Sequence, residues 1–275
     1  MLLFTLSAHN PGPLTGPGNN TYLLVGAHDP VRGTKRSVLI DAGEGKSEHL
    51  ADLDRTLAES GAHLASVLVT HGHVDHISGC AAIAARHPQA VFAKIPWGDR
   101  DGRHSVAWLP LEDGQVAWSD EVTLGVVHTP GHSPDHACFL DQEHGTLFCG
   151  DLLQQNSTVV IPPSGGGSLT EYLRSLQRVA GLGARQLLPA HGPPIDDPIG
   201  LIERTVLHRQ ARERRVLASV EAGSDTLEKV VKDVYAGLNP ALSKFAHETA
   251  LAHLIKLEED GRLRRTGDGW AVATS

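Results

Sequence analysis

Apolar residues recur along the chain in short runs closed by Gly, Pro or Asn/Asp, the pattern of strands punctuated by turns. Near the start these runs are "LFTL", "NTYLLVG" and "RSVLIDAG". "SEHLADLDRTLAES" changes period. Leu50, Leu53, Leu57 and Ala58 fall close to helical spacing, with Ser47 placed as N-cap and Gly61 just past the end. "SVLVT" then reads as a strand, and "SGCAAIAARH" as a short helix halted by Pro88. From residue 91 to 161 the pattern is mostly β, in "AVFAKI", "GQVAWS", "VTLGVVHTPG", "HACFLD" and "GTLFCGD". Helix returns at "SLTEYLRSLQRVAGLG", where Ser168 and Glu171 stand in capping-box relation, and "RQLLPAHG" is a strand ending in a histidine. Strand runs and helices in both halves predict an α/β (α+β) fold: two sheets with helices packed outside, a four-layer αββα sandwich.

After the Pro-rich "HGPPIDDP" the composition shifts, dividing the chain into a catalytic domain over 1–198 and a smaller domain over 199–275. "LIERTVLHRQARERRVLASV" reads as a long helical linker. It is followed by two more helical stretches, "DTLEKVVKDVYAG" and "LSKFAHETALAHLIKLEEDG", and by two strands around a Gly-Asp-Gly turn in "RLRRTGDGWAVA". Helix, helix and β-wing is a winged-helix pattern. Arg262, Arg264 and Arg265 of the wing could contact nucleic acid, but the adjacent Glu258, Glu259 and Asp260 favour a packing or homodimerisation module.

Composition narrows the class. The chain has 275 residues, 40% hydrophobic and 20% charged, as in ordinary globular proteins. No segment approaches the ~18 consecutive apolar residues of a membrane span, so no membrane partner is expected. The opening residues read as a first strand and not as a signal peptide, which predicts a cytoplasmic protein. Cys80, Cys138 and Cys149 are odd in number and lack CxxC spacing, so they read as reduced, buried thiols. Residues 1–199 carry 12 Lys+Arg against 21 Asp+Glu, and residues 200–275 carry 12 against 11. An acidic body lacks the basic footprint of a strong nonspecific nucleic-acid binder.

Four predicted strands end in ligand-type residues: His71, His73, Asp75 and His76 in "THGHVDHISG"; His132 in "TPGH"; Asp151 in "CGD"; and His191 in "PAHG". Neutral imidazole and carboxylate suit zinc, and the i, i+2 spacing of His71 and His73 on extended backbone turns both toward one ion. These donors are enough for two Zn2+. Two metals about 3.5–4 Å apart can hold a hydroxide between them at neutral pH and clamp the attacked group. A lone histidine would read as capping or packing, but this combination at successive strand ends does not. Nucleophilic alternatives are absent: there is no GxSxG elbow, and no cysteine has a catalytic neighbourhood. Gly165 to Gly167 lack a phosphate-loop context and read as a flexible lid or linker. His208, His247 and His253 lack ligand spacing and read as packing or surface residues.

In these motifs the sequence resembles the metallo-β-lactamase superfamily, whose T-H-x-H-x-D-H signature stands here as Thr70 to His76. The likeness extends to "NPGPLTGPGNNTYLL", "LIDAGEG", "TPGHSPDH", "CGD", "LLPAHGPPIDDP" and the winged-helix-like tail, nearly the whole chain. It is most similar to the β-lactamase-like protein 2 branch, which contains single-strand-specific endoribonucleases and, in related sequences, acyl-carrier-protein thioesterases. The resemblance implies that His71, His73 and His132 bind one zinc, that Asp75, His76 and His191 bind the other, and that Asp151 bridges. Asp75 and Asp151 are then the carboxylates on which catalysis depends, and Asp41 braces the ligand loop. Cys80 stands where the branch usually has glycine, and Cys149 where it usually has serine.

Three further residues are candidates for substrate or ligand support. Asp135 and His136 could orient His132 or another ligand through a hydrogen bond, or could only cap their turn. Tyr172 could offer its hydroxyl to substrate, or could pack in the core. The expected function is zinc-dependent hydrolysis, with single-stranded RNA phosphodiester cleavage placed ahead of thioester, lactone or other ester hydrolysis. A binding module without activity ranks last, because no ligand position is missing.

Overall fold

The computed structural model describes residues 1–12, 15–155 and 157–273. Pro13 and Leu14, within the first stretch that carries the resemblance, lie outside the described residues.

Six strands form the first sheet in sequential order: β1 (Leu2–Ser7), β2 (Asn20–Asp29), β3 (Thr34–Ile40), β4 (Ala62–Leu68), β5 (Val91–Lys94) and β6 (Trp108–Pro110). β1, β2 and β3 pair antiparallel, while β3 to β6 run parallel. Parallel pairing requires crossovers. α1 (Ser47–Ser60) makes the first, and α2 (Val74–Ile77) with α3 (Cys80–Arg86) make the second. The second sheet contains β7 (Val116–Ser119), β8 (Thr123–His128), β9 (Ala137–Asp141), β10 (Thr146–Gly150) and β11 (Gln186–Pro189) in the order β11-β10-β9-β8-β7. α4 (Leu169–Ala180) crosses between β10 and β11, which pair parallel.

Strand parity builds the four layers. On the inner faces Tyr22, Leu24, Val38, Ile40 and Leu68 meet Leu124, Val126, Phe139, Phe148 and Leu188, closing the core between the sheets. The alternate residues Leu23, Leu39 and Val67 face Leu50, Leu53 and Leu57 of α1 on one outside. Cys138, Leu140, Leu147 and Leu187 face Leu169, Leu176 and Val179 of α4 on the other. Lys46, not Ser47, is the N-cap of α1, and Ser47 Oγ donates to Glu48 instead (2.8 Å). Gly61 ends α1 in the left-handed conformation, φ 61°. Ser168 caps α4 by accepting from the Glu171 N–H (3.2 Å), while the Glu171 carboxylate pairs with Arg174, so only half of the capping box forms.

The tail comprises α5 (Pro198–Glu221), α6 (Leu227–Val234), α7 (Ser243–Glu259) and the hairpin β12 (Leu263–Thr266) and β13 (Gly269–Val272). Its own core joins Val216 and Val220 of α5 to Val230, Leu254, Leu257 and Trp270. The boundary expected between 198 and 199 is not a boundary in packing. Ile202 of α5 and Ala252 of α7 belong to the α4 cluster of the body, and buried Arg209 donates to the Val159 carbonyl. The two cores part within α5, between Arg209 and Val216.

Candidate metal centre

The ligand-type residues project from loops at one edge of the sandwich, where parallel strands end. β4 delivers Thr70 and His71, and the turn then enters α2, whose first residues carry Asp75 and His76. β10 delivers Asp151 through Gly150 at φ 48°, where a Cβ would lie 2.8 Å from His136 Nε2. Gly131 (φ 139°) lets the His132 loop pass α4, because a side chain there would strike the Tyr172 backbone. His191 follows β11.

His71 Nε2 and His132 Nε2 lie 3.0 and 2.8 Å from His73 Nδ1. Asp75 Oδ2 lies 3.4 Å from both His76 Nε2 and His191 Nε2. Asp151 stands between the two groups, its Oδ2 3.4 Å from His132, 3.6 Å from His76 and 3.9 Å from His71, and its Oδ1 3.2 Å from His191. A tetrahedral zinc site with Zn–N of about 2.0–2.1 Å sets its donors about 3.4 Å apart, a spacing that the Asp75 and Asp151 contacts approach while the His71, His73 and His132 nitrogens lie closer together. The chemistry fits as well. Three ring nitrogens converge on one point, where at most one pair could share a proton. Asp151 Oδ1 is buried with no donor aligned on it.

Ring orientation is fixed from behind. His132 Nδ1 donates to the Val160 carbonyl (2.7 Å) and His76 Nδ1 donates to Asp41 Oδ2 (2.8 Å), leaving each Nε2 lone pair for an ion. Asp41 itself has φ 61° and also accepts from Thr70 N (2.8 Å) and Thr70 Oγ1 (3.0 Å), tying the start of the ligand loop to the same carboxylate.

Burial and then the neighbouring imidazoles hold His71 well below its ordinary range and His73 at about 3, the neutral form that binds metal. Burial likewise lowers His132, with Asp151 opposing. For His191 burial lowers, but Asp151 and Asp75 outweigh it and push the group up to about 9. His76 is raised above its ordinary value against burial by Asp75, Asp41 and Asp151. These two protons compensate the carboxylates, and a cation bound here would displace them.

The remaining candidates behave differently. Neither Asp135 nor His136 bonds His132. His136, fully buried and held neutral at about 3 by burial and then His132, accepts the Asp151 N–H (3.0 Å) and so positions that ligand's backbone. Asp135 faces Lys94 Nζ at 3.0 Å, both side chains wholly buried. Of the two readings of Tyr172, packing holds and the substrate hydroxyl is corrected: its ring is fully buried and its hydroxyl is engaged in donating to the Leu152 carbonyl (2.9 Å). The Gly165–Gly167 segment is no free lid either. Gly167 N donates to Pro162 O (2.9 Å), Ser168 N to Gly131 O (2.8 Å), and Ser164 Oγ to Glu248 of α7 (2.6 Å). All three cysteines are free and buried, and burial pushes the Cys138 thiol up to about 12.

The sequence profile of the metallo-beta-lactamase superfamily matches residues 14–191. The chain belongs to this superfamily. A second profile, that of the beta-lactamase associated winged helix domain, matches residues 226–270. The beta-lactamase-like protein 2 homolog of Drosophila melanogaster is 32% identical over 267 residues, covering 93% of this chain and 87% of its own. The atrochrysone carboxyl ACP thioesterase of a Cryptosporiopsis species is 31% identical, covering 94% of this chain and 81% of its own. A metallo-beta-lactamase family protein from Thermus thermophilus has a solved structure that superposes with TM-score 0.80 at 26% identity, covering 98% of each chain. A further neighbour, solved in a di-iron-bound form, is 28% identical with TM-score 0.56, covering 74% of this chain and 98% of its own.

In this superfamily member several supporting residues carried no warning of their role as single letters. Asn19, 1% exposed, donates its Nδ2 to Asp75 Oδ2 (3.0 Å) and Asp75 O (3.1 Å), and is itself fixed by Asn10 (2.8 Å). Asn20 Nδ2 donates to the Pro189 and Gly192 carbonyls on either side of His191 (3.0 and 2.8 Å). Lys94 bridges Asp135 to Asp101 (2.6 Å), and Trp97 stands 6.0 Å from the His73 ring. The signal available for the asparagines was their place in the "PGNN" turn of the resembling stretch.

Proposed function

We propose that the protein is a dinuclear zinc-dependent hydrolase whose substrate is a thioester or related ester. The carrying observation is the convergence of His71, His73, Asp75, His76, His132, Asp151 and His191 as two donor groups joined by one carboxylate. His71, His73 and His132 would hold one ion, Asp75, His76 and His191 the second, and Asp151 both. Bound zinc supplies a nucleophile from water at neutral pH and Lewis acidity for the attacked carbonyl. The chain's part is to keep the imidazoles neutral and aimed, through Asp41 and Val160, and to hold Asp75 and Asp151 through Asn19 and His136. The near neighbour in a di-iron-bound form makes metal identity a point for direct analysis. Three unpaired buried thiols suit the reducing conditions of a cytoplasmic location.

The acyl substrate moves ahead of RNA for two reasons. A relative 31% identical over 94% of this chain is named as an acyl-carrier-protein thioesterase. One of the three wing arginines is firmly engaged, Arg265 pairing with Glu258 (2.9 Å) and lying over Trp270, and the wing stands beside the acidic Glu258, Glu259 and Asp260. Single-stranded RNA remains the second reading, favoured by the likeness to beta-lactamase-like protein 2 homologs and by the exposed Arg264. The test is to incubate the zinc-loaded protein with an acyl thioester, single-stranded RNA and DNA of matching sequence, each beside an Asp75→Ala control. Thioester turnover absent from the control is expected. Cleavage of RNA alone would reverse the order, and no turnover of any substrate would reject hydrolysis of these classes.

A further inference from the structure

Two cavities open along α5 beside the loop that follows Asp151. The larger, about 360 Å3, is lined in part by Asp196 and Asp197, whose carboxylates disfavour an anion. The smaller, about 150 Å3, has a different polar lining: Gln154, Ser157, Thr158, Arg204, Thr205 and His208. No carboxylate lines it among the described residues. Three hydroxyls, a carboxamide, an imidazole and a guanidinium are the donor set that recognises a tetrahedral oxyanion, with Arg the planar fork suited to phosphate.

The surroundings strengthen the reading. Residues 1–199 carry 21 acidic against 12 basic side chains, so an anion approaching the body meets repulsion except where the charge reverses locally. Among the described residues Arg204 has one carboxylate neighbour, Asp197 at 3.5 Å, and both side chains are well exposed, so that pair is weak and leaves the guanidinium free to turn to a ligand. Behind the Tyr172 wall, buried Arg209 adds a fixed positive charge, its guanidinium 5.3 Å from the Tyr172 ring.

The cavity also shares its walls with the backbone that sets the metal donors. Leu153 stands two residues beyond Asp151. Val159 precedes Val160, whose carbonyl orients His132, and the Tyr172 hydroxyl is tied to Leu152. We propose that this cavity binds a phosphoryl oxyanion carried by the substrate at a distance from the bond that is cleaved, a proposal that rests on the hydrolase reading above. The phosphate has two possible sources, a phosphorylated thioester carrier arm or the next phosphodiester of a polynucleotide, and the same donors serve either.

The first test needs no turnover. Inorganic phosphate is titrated into the full chain stripped of metal by chelation, so that the donor cluster holds no cation to compete. Saturable binding is expected, weakened about tenfold or more by Arg204→Glu and less by Thr205→Val, as loss of a charge-assisted contact predicts. Absence of binding, or equal binding by both variants and the parent, overturns the proposal.

The second test uses the zinc-loaded chain. Arg204→Glu should raise KM about tenfold for a coenzyme A thioester, with kcat little changed, while the phosphate-free N-acetylcysteamine thioester of the same acyl group keeps its KM. A matching rise for an oligoribonucleotide would place the phosphate on nucleic acid. Equal changes for both thioesters would overturn the proposal. If no substrate turns over, the hydrolase reading falls, and the phosphate titration still decides what the cavity binds.

Discussion

Asp75 is held from outside by Asn19, which grips both its carboxylate and its carbonyl, and Asn10 holds Asn19 from behind. Removing such an outer contact characteristically costs about 10–100-fold in metal affinity or activity. Asn19→Ala should therefore release the Asp75, His76 and His191 group selectively, lowering the metal content from two equivalents toward one, with kcat falling by about that factor. Metal analysis beside steady-state kinetics checks this, and a variant with two tightly held ions and parental kcat would contradict it. The donors themselves were legible in the sequence because six positions of one turn hold four of them, and because the other three each close an apolar run. Asn19, Lys94 and Val160 were not, since their roles come from contacts across the fold that leave no local spacing. Tyr172 shows the converse: a polar handle beside a predicted site is spent on a backbone carbonyl once burial requires a partner.

Among the elements, β2, β3 and β8 to β10 could be read directly, because both faces meet an apolar layer and each strand stands out as a short apolar run closed by turn residues. β6 was not, as three residues, Trp108 to Pro110, carry no periodicity. α2 carries no signal of its own, because four residues of helix are indistinguishable from a turn in sequence. The seam between α5 and α7 holds a feature that no pattern announced. His253 is fully buried with neither ring nitrogen bonded, and burial, then the nearby Arg209 and Arg212, hold it down at about 3. Its folded pKa is depressed, so the unfolded chain takes up a proton near pH 6.5 that the folded chain refuses until about 3. Stability from this site is thus complete above pH 6.5 and declines as pH falls toward 3. His253→Leu should remove that decline, making the stability curve shallower by about one proton over the window, and should relieve an unpaired polar group worth about 1–3 kcal/mol. Denaturant titrations at several pH values measure both. An unchanged pH slope would show that the ring is charged or bonded in the folded protein.

For the whole molecule, the change of composition at Pro193 to Pro198 lies where α5 begins, but packing does not end there. A helix of 24 residues can serve two cores in succession, and α5 does so, with Ile202 in the body and Val216 in the tail. Cutting after Pro198 strips Ile202 and Arg209 from the body, and the loss of a buried aliphatic side chain alone costs about 2–5 kcal/mol. Cutting after Gly223 keeps both. The longer fragment should unfold cooperatively at a higher temperature and retain metal, and the shorter should melt lower or without a cooperative transition. Equal melting of the two would mean that α5 does not support the body.

The central claim is that hydrolysis depends on two ions with Asp151 between them. It is tested most directly by stripping the full chain of metal and restoring zinc stepwise while activity is recorded on whichever of the proposed substrates turns over. Activity should be absent from the stripped chain and should complete its rise as the second equivalent binds, with Asp151→Ala neither holding two ions nor recovering turnover. Full activity in the stripped chain, or in Asp151→Ala without metal, would contradict the account.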